Sequence, residues 1–141
     1  MPAAVADDKT PQRRLSTDGE VRTLVVDDQA TFRDALRRLI AAAPGFVLTA
    51  EAGSGEEAIR VVETLPLSLV LMDVRMPGLG GIEAARTITE RHPDLMIVLI
   101  SVHGEEELPP ELVKAGHPAA FVHKQKLRPH VLRELWDRGQ S

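Results

Sequence analysis

Leu69-Val70-Leu71-Met72 is an unbroken apolar run that stops at a cluster of turn residues, the pattern of a strand buried on both faces. A lone carboxylate, Asp73, follows it, then Met76-Pro77-Gly78, and helical spacing resumes at Ile82. Pro fixes one torsion and Gly accepts left-handed values, so the triplet predicts a turn. Thr23 to Val26 is a second short run, closed by Asp27 and Asp28. The helix after it carries Phe32, Ala35, Leu36, Leu39 and Ile40 as one stripe facing a sheet, and Pro44-Gly45 ends it. Phe46 to Ala50 is the next strand. Gly53-Ser54-Gly55 then opens a helix with Ala58, Ile59, Val62 and Leu65 inward, which Pro66 stops.

Beyond Asp73 a helix is expected from about Gly81 to Arg91 with Ile82, Ala85 and Ile88 inward, closed by His92-Pro93-Asp94. Leu95 to Ile100 is the most apolar run and ends in Ser101, followed by a loop of His103, Gly104 and Glu105 to Glu107. Pro109-Pro110 restricts the next helix to a short piece, Pro110 to Ala115, with Gly116 as its stop. Ala119 to Val122 is the fifth strand, followed by His123 and Lys124. Pro129 fits the first turn of a last helix whose apolar side is Val131, Leu132, Leu135 and Trp136, and Arg138 and Gly139 end it. Five strands alternating with five helices over short connections imply a doubly wound α/β domain, a parallel sheet covered on both faces.

Composition narrows the partners. A chain of 141 residues, 43% of them hydrophobic, suits one domain. Lys and Arg total 17 against 21 Asp and Glu, a net charge of -4, so neither direct nucleic-acid contact nor a membrane surface is expected. The absence of Cys fits a cytoplasmic protein. Residues 1–20 have no apolar core and read as a polar, disordered arm rather than a signal peptide or a membrane span.

In an open α/β sheet, chemistry sits outside the carboxyl ends of the strands. Asp27, Asp28, Asp73, Ser101 and Lys124 all fall just after strand ends, so the fold gathers them on one rim. Clustered carboxylates repel one another, and burial raises the cost, so such a site stays ionised only with cations present. Mg²⁺ suits two or three acidic ligands without His or Cys. Lys124 and the Ser101 hydroxyl would complete a phosphoryl site, leaving one carboxylate as nucleophile, and Asp73 is favoured because it stands alone at the central turn.

Singly, each residue has a plainer role. Asp28 reads equally well as a helix N-cap, Lys124 as a solvated lysine, Ser101 as a turn residue and Trp136 as core cover. His103, His117, His123 and His130 lack metal-ligand spacing.

VVDD at 25–28, LMDVRMPGLGGIEA at 71–84, LIS at 99–101 and FVHK at 121–124 together resemble the receiver domain of bacterial two-component response regulators, over about residues 21 to 138. The DDQ triplet, the long helix before Pro44-Gly45-Phe46 and Gln after Lys124 look most like the NarL/FixJ class. The resemblance implies a receiver domain at 21–141 with a flavodoxin-like sheet ordered 2-1-3-4-5. It implies Asp73 as phosphoacceptor from a sensor histidine kinase or phosphotransfer protein. It also implies Mg²⁺ held by Asp28, Asp73 and the Arg75 backbone carbonyl, with Asp27 acting through water. Ser101 and Lys124 would contact the phosphoryl oxygens, and Phe121 would swing inward as Ser101 moves, changing a surface that an unknown downstream protein reads. Arg75 and His103 fall where receivers influence the approach of water.

Four departures stand out. Gly80 replaces a common Asp and removes an N-cap, which is expected to loosen the helix start. Val102 replaces a usual Ala, and the Pro109-Pro110 pair and an extra residue before Phe121 alter the usual output face. A stand-alone phosphorelay receiver is the leading expectation, with a homodimer through the last helices as a candidate assembly. A receiver fragment of a DNA-binding regulator is the alternative; it requires a truncated chain, since only three residues follow Arg138, too few for a helix-turn-helix domain. A haloacid dehalogenase-type enzyme would need an Asp where Arg75 stands, and a flavodoxin would need a phosphate cradle where Asp27 and Asp28 stand.

Overall fold

A computed structural model describes residues 19–101 and 119–140. The elements are β1 (Val21–Val26), α1 (Ala30–Ala41), β2 (Phe46–Ala52), α2 (Gly55–Thr64), β3 (Leu69–Asp73), α3 (Gly81–Arg91), β4 (Met96–Ser101), β5 (Ala119–His123) and a last helix, α4 (Pro129–Gly139). Residues 1–18 of the arm, Val102, the loop with His103 and Glu105 to Glu107, the short helix expected at Pro110 to Ala115, and His117 lie outside the described residues. No helix among the described residues is long and apolar enough to cross a membrane.

The strands form one parallel sheet ordered β2-β1-β3-β4-β5, the expected flavodoxin-like arrangement. Successive side chains on a strand point to opposite faces, so a strand apolar at every position feeds two cores. Val70 and Met72 pack on one side with Ala58 and Val62 of α2 and Ala84, Ala85 and Ile88 of α3. Leu69 and Leu71 pack on the other with Leu36 and Ile40 of α1 and Leu132, Leu135 and Trp136 of α4. Each fully buried Leu or Ile here contributes about 1.5–3 kcal/mol of apolar transfer. Trp136 is core, at 3% exposure.

Some details depart from the expectation. β1 begins at Val21, β2 runs on to Ala52, β4 starts at Met96 and takes in Ser101, and β5 takes in His123. Ala35, expected inward, is exposed. The contact of α1 with the sheet is centred on Leu36 and Ile40, and one step around the helix a methyl group is too short to reach it. On α3 it is Ala84 that is fully buried, while Ile82 is half-buried.

The turn after β3 positions the site. Gly80 takes φ 66 and offers no side-chain cap to α3, yet the helix start is tight rather than loose. The Gly81 N–H donates to the Val74 carbonyl at 3.0 Å, and a Cβ on Gly81 would overlap the carbonyl oxygen of Asp73. From α2, the Glu56 carboxylate accepts the Leu79 N–H at 3.3 Å.

Candidate acidic site at the carboxyl ends of the strands

Register brings the acids together. Val26 of β1 lies opposite Met72 of β3, so the residues that follow them, Asp27 and Asp73, stand side by side. Carboxylate oxygens of Asp27, Asp28 and Asp73 all lie within 4.8 Å of one another. Their environments differ: Asp27 is fully buried and Asp73 is 7% exposed, whereas Asp28 is exposed.

Asp27 is held from several directions. Its N–H donates to the Ala52 carbonyl at 3.1 Å, and Arg33 donates to its backbone carbonyl at 2.7 Å. Its Oδ1 accepts the Gln29 N–H at 2.9 Å, closing the turn into α1. The N-cap position of α1 is Gln29, without a side-chain bond, so Asp28 is not the cap that a lone Asp before a helix suggests. Oδ2 of Asp27 is buried with no hydrogen-bond partner among the described residues.

Lys124 enters from the end of β5, in a 3-10 turn spanning Lys124–Lys126. Its Nζ lies 3.9 Å from Asp27 Oδ2 and 4.0 Å from Asp73 Oδ1, and 3.8 Å from the centroid of the Phe32 ring. His123 Nδ1 accepts the Gln125 N–H at 3.2 Å, shaping the turn that aims the lysine. Neither Phe32 nor His123 stands out in the sequence as a site residue. Phe32 reads as one more member of an apolar stripe, and the offset of one turn from Asp28 was the signal available.

The other expected residues are placed by the strands. Ser101 ends β4, 2% exposed, one residue past Ile100, the register partner of Asp73. Phe121 is half-buried and lies opposite Leu99, two positions below the rim. The Arg75 side chain is exposed.

The electrostatics show a site short of positive charge. Burial, and then the neighbouring Asp27 charge, push the Asp73 carboxyl up to about 6, against the opposing pull of Lys124 and the Arg75 N–H. Burial raises Asp27 as well, with the Gln29 N–H and Lys124 opposing it.

A family model described as the response regulator receiver domain matches residues 23–135. The chain belongs to that family. Response regulator GacA of Pseudomonas viridiflava is 41% identical over 96 residues, which is 68% of this chain and 45% of GacA. Transcriptional regulatory protein DegU of Brevibacillus brevis is 31% identical over 99 residues, 70% of this chain and 42% of DegU. The chain thus spans less than half the length of these curated relatives. A two-component response regulator of the LuxR family from Aurantimonas sp. superposes with a TM-score of 0.71 at 32% identity, covering 82% of this chain and 81% of that one. These relatives agree with a receiver of the NarL/FixJ class.

Receivers bind Mg²⁺ at an acidic pocket, and this receiver has the donors for it. The donor set is all oxygen, as a hard cation requires. One oxygen of Asp27 is buried with no hydrogen-bond partner among the described residues, and Asp73 is destabilised in its charged form, so an added cation would relieve both.

Proposed function

We propose that this receiver accepts a phosphoryl group on Asp73 within a two-component phosphorelay. The observation that carries the proposal is one lysine ammonium within 4.0 Å of the carboxylates of both Asp27 and Asp73, in a cluster where Asp28 completes three acids. An Asp73 oxygen attacks phosphorus in a kinase or phosphotransfer phosphohistidine. The bond from phosphorus to the imidazole nitrogen breaks, the electron pair leaves with the imidazole, and an acyl phosphate remains on Asp73. Lys124 pairs with the phosphoryl oxygens, and the Ser101 hydroxyl donates to one of them. Asp28, Asp73 and the Arg75 carbonyl would hold Mg²⁺, with Asp27 acting through water; when bound, the ion supplies charge neutralisation for the phosphoryl oxygens. Movement of Ser101, followed by Phe121, then changes the surface that a downstream protein reads. Apart from making and hydrolysing its own acyl phosphate, the domain is a signalling module of the cytoplasm, not an enzyme acting on other substrates.

With Mg²⁺ and acetyl phosphate, the wild type takes up one phosphoryl group by intact mass and Asp73→Asn takes up none. Equal labelling of the variant refutes the assignment. Lys124→Ala keeps Mg²⁺ binding while weakening the response to phosphorylation; loss of Mg²⁺ affinity alone would remove Lys124 from its role.

A second reading is favoured by the relatives. The chain spans 42% of a protein named a transcriptional regulatory protein, which supports reading it as the receiver part of a DNA-binding regulator. On that reading the expectation of no direct nucleic-acid contact holds only for the receiver and is withdrawn for the whole protein. The length of the native gene decides between the two. A homodimer through the last helices suits either and is tested by sedimentation with and without beryllofluoride.

A further inference from the structure

The Lys124 ammonium is drawn by its acids but faces a ring as well. Its distances to Asp27 and Asp73, 3.9 and 4.0 Å, exceed hydrogen-bond length, so neither carboxylate fixes its direction. The Phe32 ring, with its centroid 3.8 Å from Nζ, supplies the negative face of an aromatic quadrupole at cation–π range. Phe32 stands in the first turn of α1, and its neighbour Arg33 donates to the backbone carbonyl of Asp27 at 2.7 Å. Ring and acid are thereby tied to one rigid start of α1. Phe32 and Lys124 both line a groove of about 310 Å³, whose walls also include Leu36, Leu39, Leu127 and Pro129, into which an unheld lysine stem could turn.

We propose that Phe32 is a positioning residue for Lys124: its ring holds the ammonium between Asp27 and Asp73, so the cation is in place before a phosphoryl group arrives on Asp73. This rests on the function proposed above. The face of the ring compensates part of the ammonium's lost hydration without forming a directional bond that phosphoryl oxygens would have to break. The lysine is therefore oriented and still free to pair.

The test combines a double-mutant cycle with a spectroscopic signature. With Mg²⁺ present, Phe32→Leu should bind beryllofluoride about threefold to tenfold more weakly than wild type, by ¹⁹F NMR, and Phe32→Tyr should restore the affinity. In a Lys124→Ala background the change at Phe32 should have no further effect. A ring that merely packs would cost the same in both backgrounds, and that result overturns the proposal even if Phe32→Leu is less stable. The ε-methylene protons of Lys124 should be shifted upfield by the ring in wild type and Phe32→Tyr and lose that shift in Phe32→Leu; an unchanged shift is equally fatal. If the wild type takes no label at Asp73, the proposed function fails and this inference with it. If it labels and Phe32→Leu binds beryllofluoride like wild type, the role of Phe32 alone is lost.

Discussion

The two faces of the sheet are built to different tolerances. On one, α2 and α3 close on each other and on the end of β3: a Cβ on Gly55 would come within 3.0 Å of the Gly80 carbonyl, and one on Gly81 would overlap that of Asp73. On the other, α1 and the last helix meet the sheet through Leu36, Ile40, Leu132 and Trp136 but leave the groove beside Lys124 that Phe32 and exposed Ala35 help to line. The close-packed face fixes the backbone of the acid that must not move. The looser face carries Lys124, whose long side chain reaches over to the acids. Interiors packed to crystal density transmit strain, so a closely backed Asp73 and an open groove beside Lys124 come from the same sheet by different coverings.

A methyl group on one face and a larger addition on the other give the widest separation between them. Gly81→Ala has no space to occupy, because both the Asp73 carbonyl and the Val74 Cα stand in the way. It should cost about 3 kcal/mol or more in urea unfolding, the upper range for overpacking. Ala35→Leu adds more atoms, yet it points at the groove and should change stability by no more than about 0.5 kcal/mol. Similar costs at the two positions would show that the faces do not differ.

A second contrast concerns charge. Burial and Asp27 raise Asp73 from the ordinary 3.8 to about 6, so between about pH 4 and about pH 6 the folded chain binds more protons than the unfolded one. Stability contributed by this group is therefore present below about pH 4 and is lost as pH rises through about 6. Asp73→Asn removes the charge while keeping the shape. In Mg²⁺-free buffer at pH 7 it should be more stable than wild type by about 2–3 kcal/mol, and the gap should close as pH falls below about 4. Added Mg²⁺ should narrow it by stabilising the ionised wild-type site. Equal stability at pH 7 without the ion would mean that Lys124 already neutralises the pocket.

Unbroken apolar runs made the central strands legible, because a strand covered on both faces needs no polar positions. Spacing shows which helices are amphipathic but not where each stripe is centred, so it cannot tell exposed Ala35 from its inward neighbours. The order of strands came from the resemblance, since periodicity is silent on which strands are neighbours. Asp27 and Asp28 are equivalent in sequence, and it is the register beside Met72 that buries Asp27 and leaves Asp28 exposed. Lys124 was legible from its strand end. Phe32 was not, because an aromatic on an apolar stripe looks the same whether it meets a leucine or an ammonium.

The two helices of the close-packed face start in different ways, and this sets the smallest prediction. Ser54 Oγ accepts the Glu57 N–H at 3.1 Å, and Glu57 Oε1 accepts the N–H of Gly53, the residue before the cap, at 2.9 Å, a variant of the capping box on α2 that reaches one residue further back. α3 has no such side chain; it starts at Gly80 with φ 66 and ψ 162, a region essentially reserved for glycine. Ser54→Ala should therefore cost about 1 kcal/mol. Restoring the acid common in receivers, Gly80→Asp, should also cost about 1 kcal/mol rather than return a cap, because the strain of a side chain at that φ outweighs one exposed hydrogen bond. A gain in stability for Gly80→Asp would mean that α3 can begin with ordinary extended backbone. The tight fit of Gly81 against Asp73 would then have to be kept by packing alone, without help from the left-handed turn before it.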